Sequence, residues 1–300
     1  MKKFSPWLIV IAALLWATDA PFRKFLTTEL PSGIIVLSEH ILISILILPV
    51  FLRCLPELRK LGWKEWLAVL FIGFGGSALA TVLFTQAFHY VNVSVAILLQ
   101  KTQPFIAILL AYALLREKLA KHFYWWALVG IAGAYLISFP EVVPTGLTLN
   151  GGTLGVVYAL AAAALWGGST VFGKFVLRKV SYPMMTSLRF LTALVFLFGL
   201  AVQQNTLSAY QSFTAKDAFF VAIIALLAGL ISLWLYYRGL EHTKASVSTI
   251  AELAFPFSAV IVNWIFLGAT LQPMQILGGL ILLGAITQVA KTNLDTAPAA

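Results

Sequence analysis

Acidic residues are scarce in this chain. Only 11 of its 300 residues are Asp or Glu, and Lys and Arg raise the charged share to just 10%. A soluble domain carries about 25% charged residues. Apolar side chains fill the gap: they make up 61% of the chain and give a mean hydropathy of +0.94. A single aqueous core of this length would leave large apolar patches in water. Lipid is therefore the solvent that the composition calls for. The same numbers exclude an ordinary cytosolic enzyme and a disordered chain. Cysteine is reduced to Cys54 alone, so no internal disulfide forms and a disulfide scaffold is excluded too. The four histidines, His40, His89, His122 and His242, are scattered, and neither an HExxH pattern nor paired carboxylates occur. No Walker pattern surrounds the glycines. Catalysis would need a clustered nucleophile, base or metal ligand set, so no enzyme activity, cofactor or metal is expected.

What is present is a series of long apolar runs. A membrane span needs about 20 largely apolar residues. Ten such runs can be read, near Trp7–Phe25, Ile34–Phe51, Trp66–Phe88, Val93–Leu114, Phe123–Phe139, Thr153–Leu177, Met184–Gln203, Ala218–Leu240, Ala245–Leu267 and Gln275–Val289. The least distinct divisions fall at His89–Asn92 and Glu241–Lys244. The net charge of +9 does not point to nucleic acid, because the basic residues form short clusters between apolar runs. With the N-terminus inside, fifteen Lys and Arg fall on the inner side and three, Arg23, Lys24 and Lys216, on the outer side. This is the positive-inside bias. It predicts ten spans, both termini cytoplasmic, in a bacterial inner membrane. Lys2–Lys3 before an apolar run could also open a signal peptide, but that run has a counterpart deep in the chain.

The counterpart belongs to an internal repeat. Leu15-Trp16, Phe22, Lys24 and Phe25 return 150 residues later as Leu165-Trp166, Phe172, Lys174 and Phe175. Ala87, Val93, Ser94, Pro104 and Phe105 face Gly239, Ala245, Ser246, Pro256 and Phe257 at an offset of 152. Leu115 and Leu119 continue the match at Leu267 and Leu271. The expected units are 1–145 and 146–300, each with five helices, joined by a turn-rich linker around Pro140, Pro144 and Leu147–Gly152. Five is odd, so the halves should enter the membrane in opposite directions. The expected fold is an all-α membrane protein of ten helices in two inverted five-helix repeats, an architecture of secondary transporters.

These residues resemble the drug/metabolite transporter superfamily, in particular its EamA-type ten-span exporters. The resemblance rests on the Leu-Trp…Phe segments of spans one and six, on Ala87–Leu99 through Pro104-Phe105, on Leu115–Leu119 and on Leu188-Arg189-Phe190. It covers residues 7–290. It implies export of amino acids, other metabolites or amphipathic compounds by alternating access. Two positions depart from the family pattern. Glu39 stands where the family often has Arg, and Ala269 stands at the place of a junction glutamate matched by Glu117 in the first half. A lipid-intermediate flippase of the same fold stays open as an alternative. The partners expected are a small-molecule substrate and membrane lipid, with no nucleic acid. Nothing demands a second chain, so a monomer is compatible.

Charged side chains inside spans cost at least about 2.5–3.5 kcal/mol at the bilayer centre and persist where they face a cavity or a partner. The candidates here are Asp19, Glu39, His40, Lys101, Arg189 and Glu252. Asp19 precedes Pro21 and can either exchange a proton or pair with Arg23 one turn on. Glu39 and His40 lie about 100° apart on a helix, so one is expected to face the cavity and the other a neighbouring span. Gln100 and Lys101 sit in a polar cluster before Pro104, and Glu252 sits before Pro256. Both prolines should kink their helices. Ser248, Glu252, Ala259 and Asn263 should form a stripe along the cavity wall. Trp16 and Trp166, matched by the repeat and near mid-span, can supply an aromatic wall or simply pack. Two alternating gates are expected: Glu39 or His40 with Lys101 toward the outside, and Arg189 with Glu252 toward the inside. Drive by the proton-motive force, with Asp19 or Glu252 titrating, and facilitated diffusion fit the sequence equally well.

Overall fold

The computed structural model describes residues 5–115, 122–138, 151–241, 251–252 and 254–296. Lys2–Lys3, the junction at Arg116–Leu119, the linker prolines 140 and 144, the His242–Lys244 division, Ala245, Ser246 and Ser248 lie outside the described residues. Among the described residues every regular element is a helix. The first half holds α1 (Ser5–Ala17), α2 (Asp19–Leu26), α3 (Ser32–Cys54), α4 (Trp63–Phe71), α5 (Ala80–Ala87), α6 (Val93–Gln100), α7 (Gln103–Leu115) and α8 (Phe123–Ser138). The second holds α9 (Gly151–Val176), α10 (Tyr182–Gln203), α11 (Ala215–Ile223), α12 (Ser232–Glu241), α13 (Ala254–Leu267) and α14 (Pro273–Thr296).

Six helical stretches are long and apolar enough to cross a membrane: Ser32–Lys60, Trp63–Ala87, Val93–Leu114, Gly152–Val176, Tyr182–Gln203 and Ala215–Gly239. Three shorter apolar helices run over Phe123–Ile137, Ala254–Leu267 and Pro273–Gln288. The first expected span is two helices. Pro21 has no N–H to give the Ala17 carbonyl, and the chain turns at Thr18, whose amide and hydroxyl both bond to Leu15 O at 3.1 and 2.7 Å. Proline breaks the fourth span in the same way. Pro104 cannot bond to Gln100 O, and α6 ends there, with Lys101 and Thr102 in a turn before α7. Pro256 deprives Glu252 O of its usual donor, and the Phe255 amide takes that carbonyl at 3.1 Å instead.

The duplication is visible in the irregular pieces. Short 3₁₀ helices at Leu55–Lys60 and Leu207–Ser212 lie 152 residues apart, as do π-helical stretches at Ile72–Leu79 and Ile224–Ile231. A capping acid follows each 3₁₀ helix: Glu65 accepts the Gly62 amide at 3.0 Å and Asp217 accepts the Thr214 amide at 2.9 Å. One difference has a simple cause. α9 runs unbroken where the first span breaks, because Val171 stands in the place of Pro21.

Packing crosses between the halves. α3 lies on α10, and α8 lies on α14. The first helical segment of each half thus rests on segments of the other half: α1 on α12 and α13, α9 on α5 and α7. Large apolar side chains remain on the outside, among them Val195, Ile265, Trp264 and Leu128. This is the surface expected of helices facing lipid.

The α8–α14 crossing depends on Gly133 and Gly278. A Cβ on Gly133 would lie 2.7 Å from Gly278 O, and one on Gly278 would lie 2.6 Å from Gly133 O. Small residues allow this backbone approach. Gly133→Leu should lower the thermal midpoint of the detergent-purified protein by the equivalent of about 1–3 kcal/mol or more, since overpacking here meets backbone and not only side chains. Gly199→Leu, where an added Cβ meets nothing within 4 Å, should leave the midpoint nearly unchanged. Equal midpoints for the two variants would refute the crossing.

Candidate functional site

One cavity of about 1240 Å³, its open mouth included, lies among helices of both halves. It is lined by Trp16, Asp19, Glu39, His40, Gln100, Lys101, Trp166, Arg189 and Glu252. Pro104 and Pro256 are not in its wall; they act on it through the breaks that they impose just before them. The aromatic frame follows the repeat. Trp16 faces Tyr236 with ring centroids 5.2 Å apart, and Trp166 faces Phe84 at the same 5.2 Å. Trp16 and Trp166 are repeat partners at 150, and Phe84 and Tyr236 are partners at 152. Each tryptophan therefore crosses to the third span of the other half.

The strongest polar feature is centred on Arg23. Its Nε donates to both Asp19 carboxylate oxygens, at 2.8 and 3.1 Å, its Nη2 to Glu39 Oε2 at 2.9 Å and its Nη1 to Thr85 Oγ1 at 3.0 Å. Arg23 is only 3% exposed. A guanidinium buried in a span needs anions to offset its lost hydration. Two carboxylates and a hydroxyl fill that need and tie α2 to α3 and α5. The contact expected of an outer gate is not made in this arrangement: Glu39 pairs with Arg23, and the Lys101 ammonium lies over the Phe255 ring at 4.5 Å. The spacing of Asp19 and Arg23 predicts their contact. The part played by Arg23 as a residue of the cavity wall, with a second partner in Glu39, is missed when Arg23 is assigned to an outer loop.

His40 is held at both ring nitrogens, by Val36 O at 2.8 Å and Ser77 Oγ at 3.0 Å. A carbonyl can only accept, so Nδ1 carries the proton and Nε2 accepts from the Ser77 hydroxyl. Ser77 Oγ in turn accepts from Arg189 Nε at 3.3 Å, and Arg189 Nη2 donates to Gly76 O at 3.0 Å. Glu39 and His40 both line the cavity, against the expected division between them. The wall is broad enough here to admit two directions 100° apart, because α3 faces α2 on one side and the π-helical stretch on the other.

Across the cavity, Glu252 accepts from the Tyr236 hydroxyl at 2.8 Å. Gln103 joins Gln100 to Thr170 through two 3.4 Å contacts, while Gln100 Oε1 and Ser169 Oγ are buried without a hydrogen-bond partner. The stripe expected along the ninth span is not continuous among the described residues: Glu252 lines the cavity, whereas Ala259 joins the core and Asn263 donates to Ser94 Oγ at 3.3 Å. The break before Pro256 separates Glu252 from the axis of α13, so helical spacing does not carry across it.

A multi-pass helical bundle whose two halves share one central, mixed aromatic and polar cavity is built as a membrane transporter. The chain matches the model of the EamA-like transporter family over residues 3–139 and 153–290, and it belongs to that family. It is 30% identical to riboflavin transporter ImpX of Fusobacterium nucleatum over 292 residues, which is 95% of this chain and 97% of that protein. It is 25% identical to the uncharacterized transporter YetK of Bacillus subtilis, over 86% of this chain and 79% of that one. A crystal structure with 18% sequence identity shares the fold at a TM-score of 0.67, over 99% of this chain and 98% of the other.

Removing Arg23 should leave two carboxylates facing each other in the wall. Breaking a buried ion pair from one side costs about 3–5 kcal/mol, so Arg23→Gln should fold poorly or melt far lower. Adding Glu39→Gln and Asp19→Asn to that variant should recover much of the loss in thermal melting of the purified protein. A triple variant no better than Arg23→Gln would show that the cluster is not the cause.

Proposed function

We propose that this chain is a secondary transporter that moves small amphipathic, aromatic metabolites out of the cell. Its halves, residues 1–145 and 146–300, act as inverted repeats that expose the central cavity to one side and then the other. The observation that carries this reading is the composition of the cavity wall. It draws Trp16, Asp19, Glu39, His40, Gln100 and Lys101 from one half, and Trp166, Arg189 and Glu252 from the other. Ligand sites combine apolar and aromatic walls with a few placed polar groups. A wall shared by both halves must also rearrange when they rock.

Trp16, Phe84, Trp166 and Tyr236 offer faces to a planar ring, while Gln100, Gln103 and Glu252 offer polar anchors. The printed name of the Fusobacterium relative makes a flavin the first solute to test. Asp19 and Glu252 are acids in the wall able to exchange a proton with the transport step. The inner gate is assigned to Arg189 and Glu252, and the helix breaks before Pro104 and Pro256 are its hinges.

The test is metabolite profiling of medium and cytoplasm in cells that express the wild type or Glu252→Gln at equal protein level. A ring-bearing solute, read first by flavin fluorescence, should accumulate in the medium with the wild type and fall about tenfold or more with the variant, the scale of one lost charged contact. Collapse of the proton gradient should abolish accumulation against a gradient if export is coupled, and spare downhill movement if diffusion is facilitated. If no soluble solute moves with either protein, the exporter reading fails.

A further inference from the structure

The duplication makes a comparison within the chain that bears on what the cavity accepts. At the 150 offset, Asp19 corresponds to Ser169, Arg23 to Gly173 and Glu39 to Arg189. The first half therefore carries a closed cluster of two acids around one guanidinium. The second half carries a guanidinium with no acid at either matching position. Arg189 is bonded only to neutral acceptors, Ser77 Oγ and Gly76 O, and makes no ion pair among the described residues.

Two further observations fall on the same spot. Ser169, only 3% exposed, lines the cavity, and its Oγ has no hydrogen-bond partner. It lies beside the carbonyl-bearing residue that Arg189 holds, since a Cβ built on Gly76 would meet Ser169 Oγ at 2.2 Å. A Cβ on Gly173 would meet nothing within 4 Å, so the place of Arg23 is open space in this half. A guanidinium has five N–H donors in a fork suited to oxyanions, and the two bonds made to Ser77 and Gly76 leave donors over. A buried, unsatisfied hydroxyl costs free energy until something bonds to it. Arg23 engages both Asp19 and Glu39, so these two acids are already paired and do not serve Arg189.

We propose that Arg189 and Ser169 form an oxyanion subsite, and that the transported solute carries a carboxylate or phosphate which docks there while its ring lies against the Trp166 and Phe84 side. The anion sits between the residues that match Asp19 and Glu39, in the space left open at Gly173, so the charges of the first-half cluster are reversed here. This deepens the transporter reading and rests on the cavity being the transport path.

Two measurements on the purified full-length protein test it. In the first, phenylglyoxal modification of arginines is mapped by mass spectrometry with and without inorganic phosphate or acetate. These probes have no ring. Phosphate or acetate should slow modification of Arg189 about fivefold or more, while the exposed Arg53 and Arg59 react as before. Which of the two protects better tells phosphate from carboxylate. No reaction at Arg189 without anion, or no slowing with either anion, overturns the proposal. In the second, quenching of tryptophan fluorescence compares solutes with matched rings: riboflavin with its 5′-phosphate, and indole-3-ethanol with indole-3-acetate. The anionic member of a pair should bind about tenfold more tightly, as one charge-assisted contact allows. That preference should collapse in Arg189→Gln, persist in part in Arg189→Lys and shrink in Ser169→Ala. A preference that survives Arg189→Gln also overturns it. If neither ring pair binds while phosphate or acetate still protects Arg189, the aromatic substrate reading falls and the oxyanion subsite stands.

Discussion

A guanidinium inside a lipid-facing bundle has to find its anions within the protein, and in this chain Arg23 finds them on two elements at once. Asp19 takes Nε from within α2, Glu39 takes Nη2 from α3, and Thr85 takes Nη1 from α5. The geometry is available because Pro21 breaks the first span at Thr18. α2 is thereby a separate short helix, free to take its own direction. An unbroken span, such as α9 in the other half, would follow a single axis through this point. That one local break lets Arg23 bring Asp19 and Glu39 together in the cavity wall.

Much of this was legible in the sequence. The offsets of 150 and 152 residues anticipated the matched 3₁₀ and π-helical pieces and the family matches in each half. Polar residues in apolar runs name Asp19, Glu39, His40, Gln100, Lys101, Arg189 and Glu252, and the repeat match names Trp16 and Trp166; all of them line one cavity. Pairings were less legible. Lys101 reads as a gate partner of Glu39 or His40, and in this arrangement its ammonium lies over the Phe255 ring. Helical spacing and repeat offsets locate a residue along its own helix, but they carry no information on the rotation of two helices about each other. The stripe along the ninth span is interrupted among its described members for a related reason: a periodicity of 3.6 does not carry from Glu252 across the break before Pro256 to Ala259 and Asn263. Arg23 reads both as a topology signal near the end of a span and, with an acid at i−4, as one of a buried pair, but no spacing rule points to its second partner, Glu39.

The duplicated scaffold and the cavity it encloses obey different constraints. Packing keeps the halves alike. The tryptophans cross over at equal distances, the π-helical stretches match, and the glycine pair at α8–α14 allows the fifth span of each half to meet the other at backbone distance. Each of these contacts is made between halves, so a change in one copy alone would disturb both. The cavity-facing positions have no such obligation. There the matched residues differ in charge and size: Asp19 against Ser169, Arg23 against Gly173, Glu39 against Arg189, and Gln100 against Glu252.

That division has a mechanical consequence. If both halves carried the same closed ion cluster, the two arrangements of the bundle would be stabilised equally and by the protein alone, whatever the cavity held. With one cluster complete and the other lacking its acids, the two arrangements of the proposed alternating-access cycle would differ in what they need. A ligand shifts such an equilibrium only by as much as it favours one arrangement over the other. If Arg189 and Ser169 take an anion as proposed, a solute that carries one would supply that difference, at the place where the duplication left the acids out.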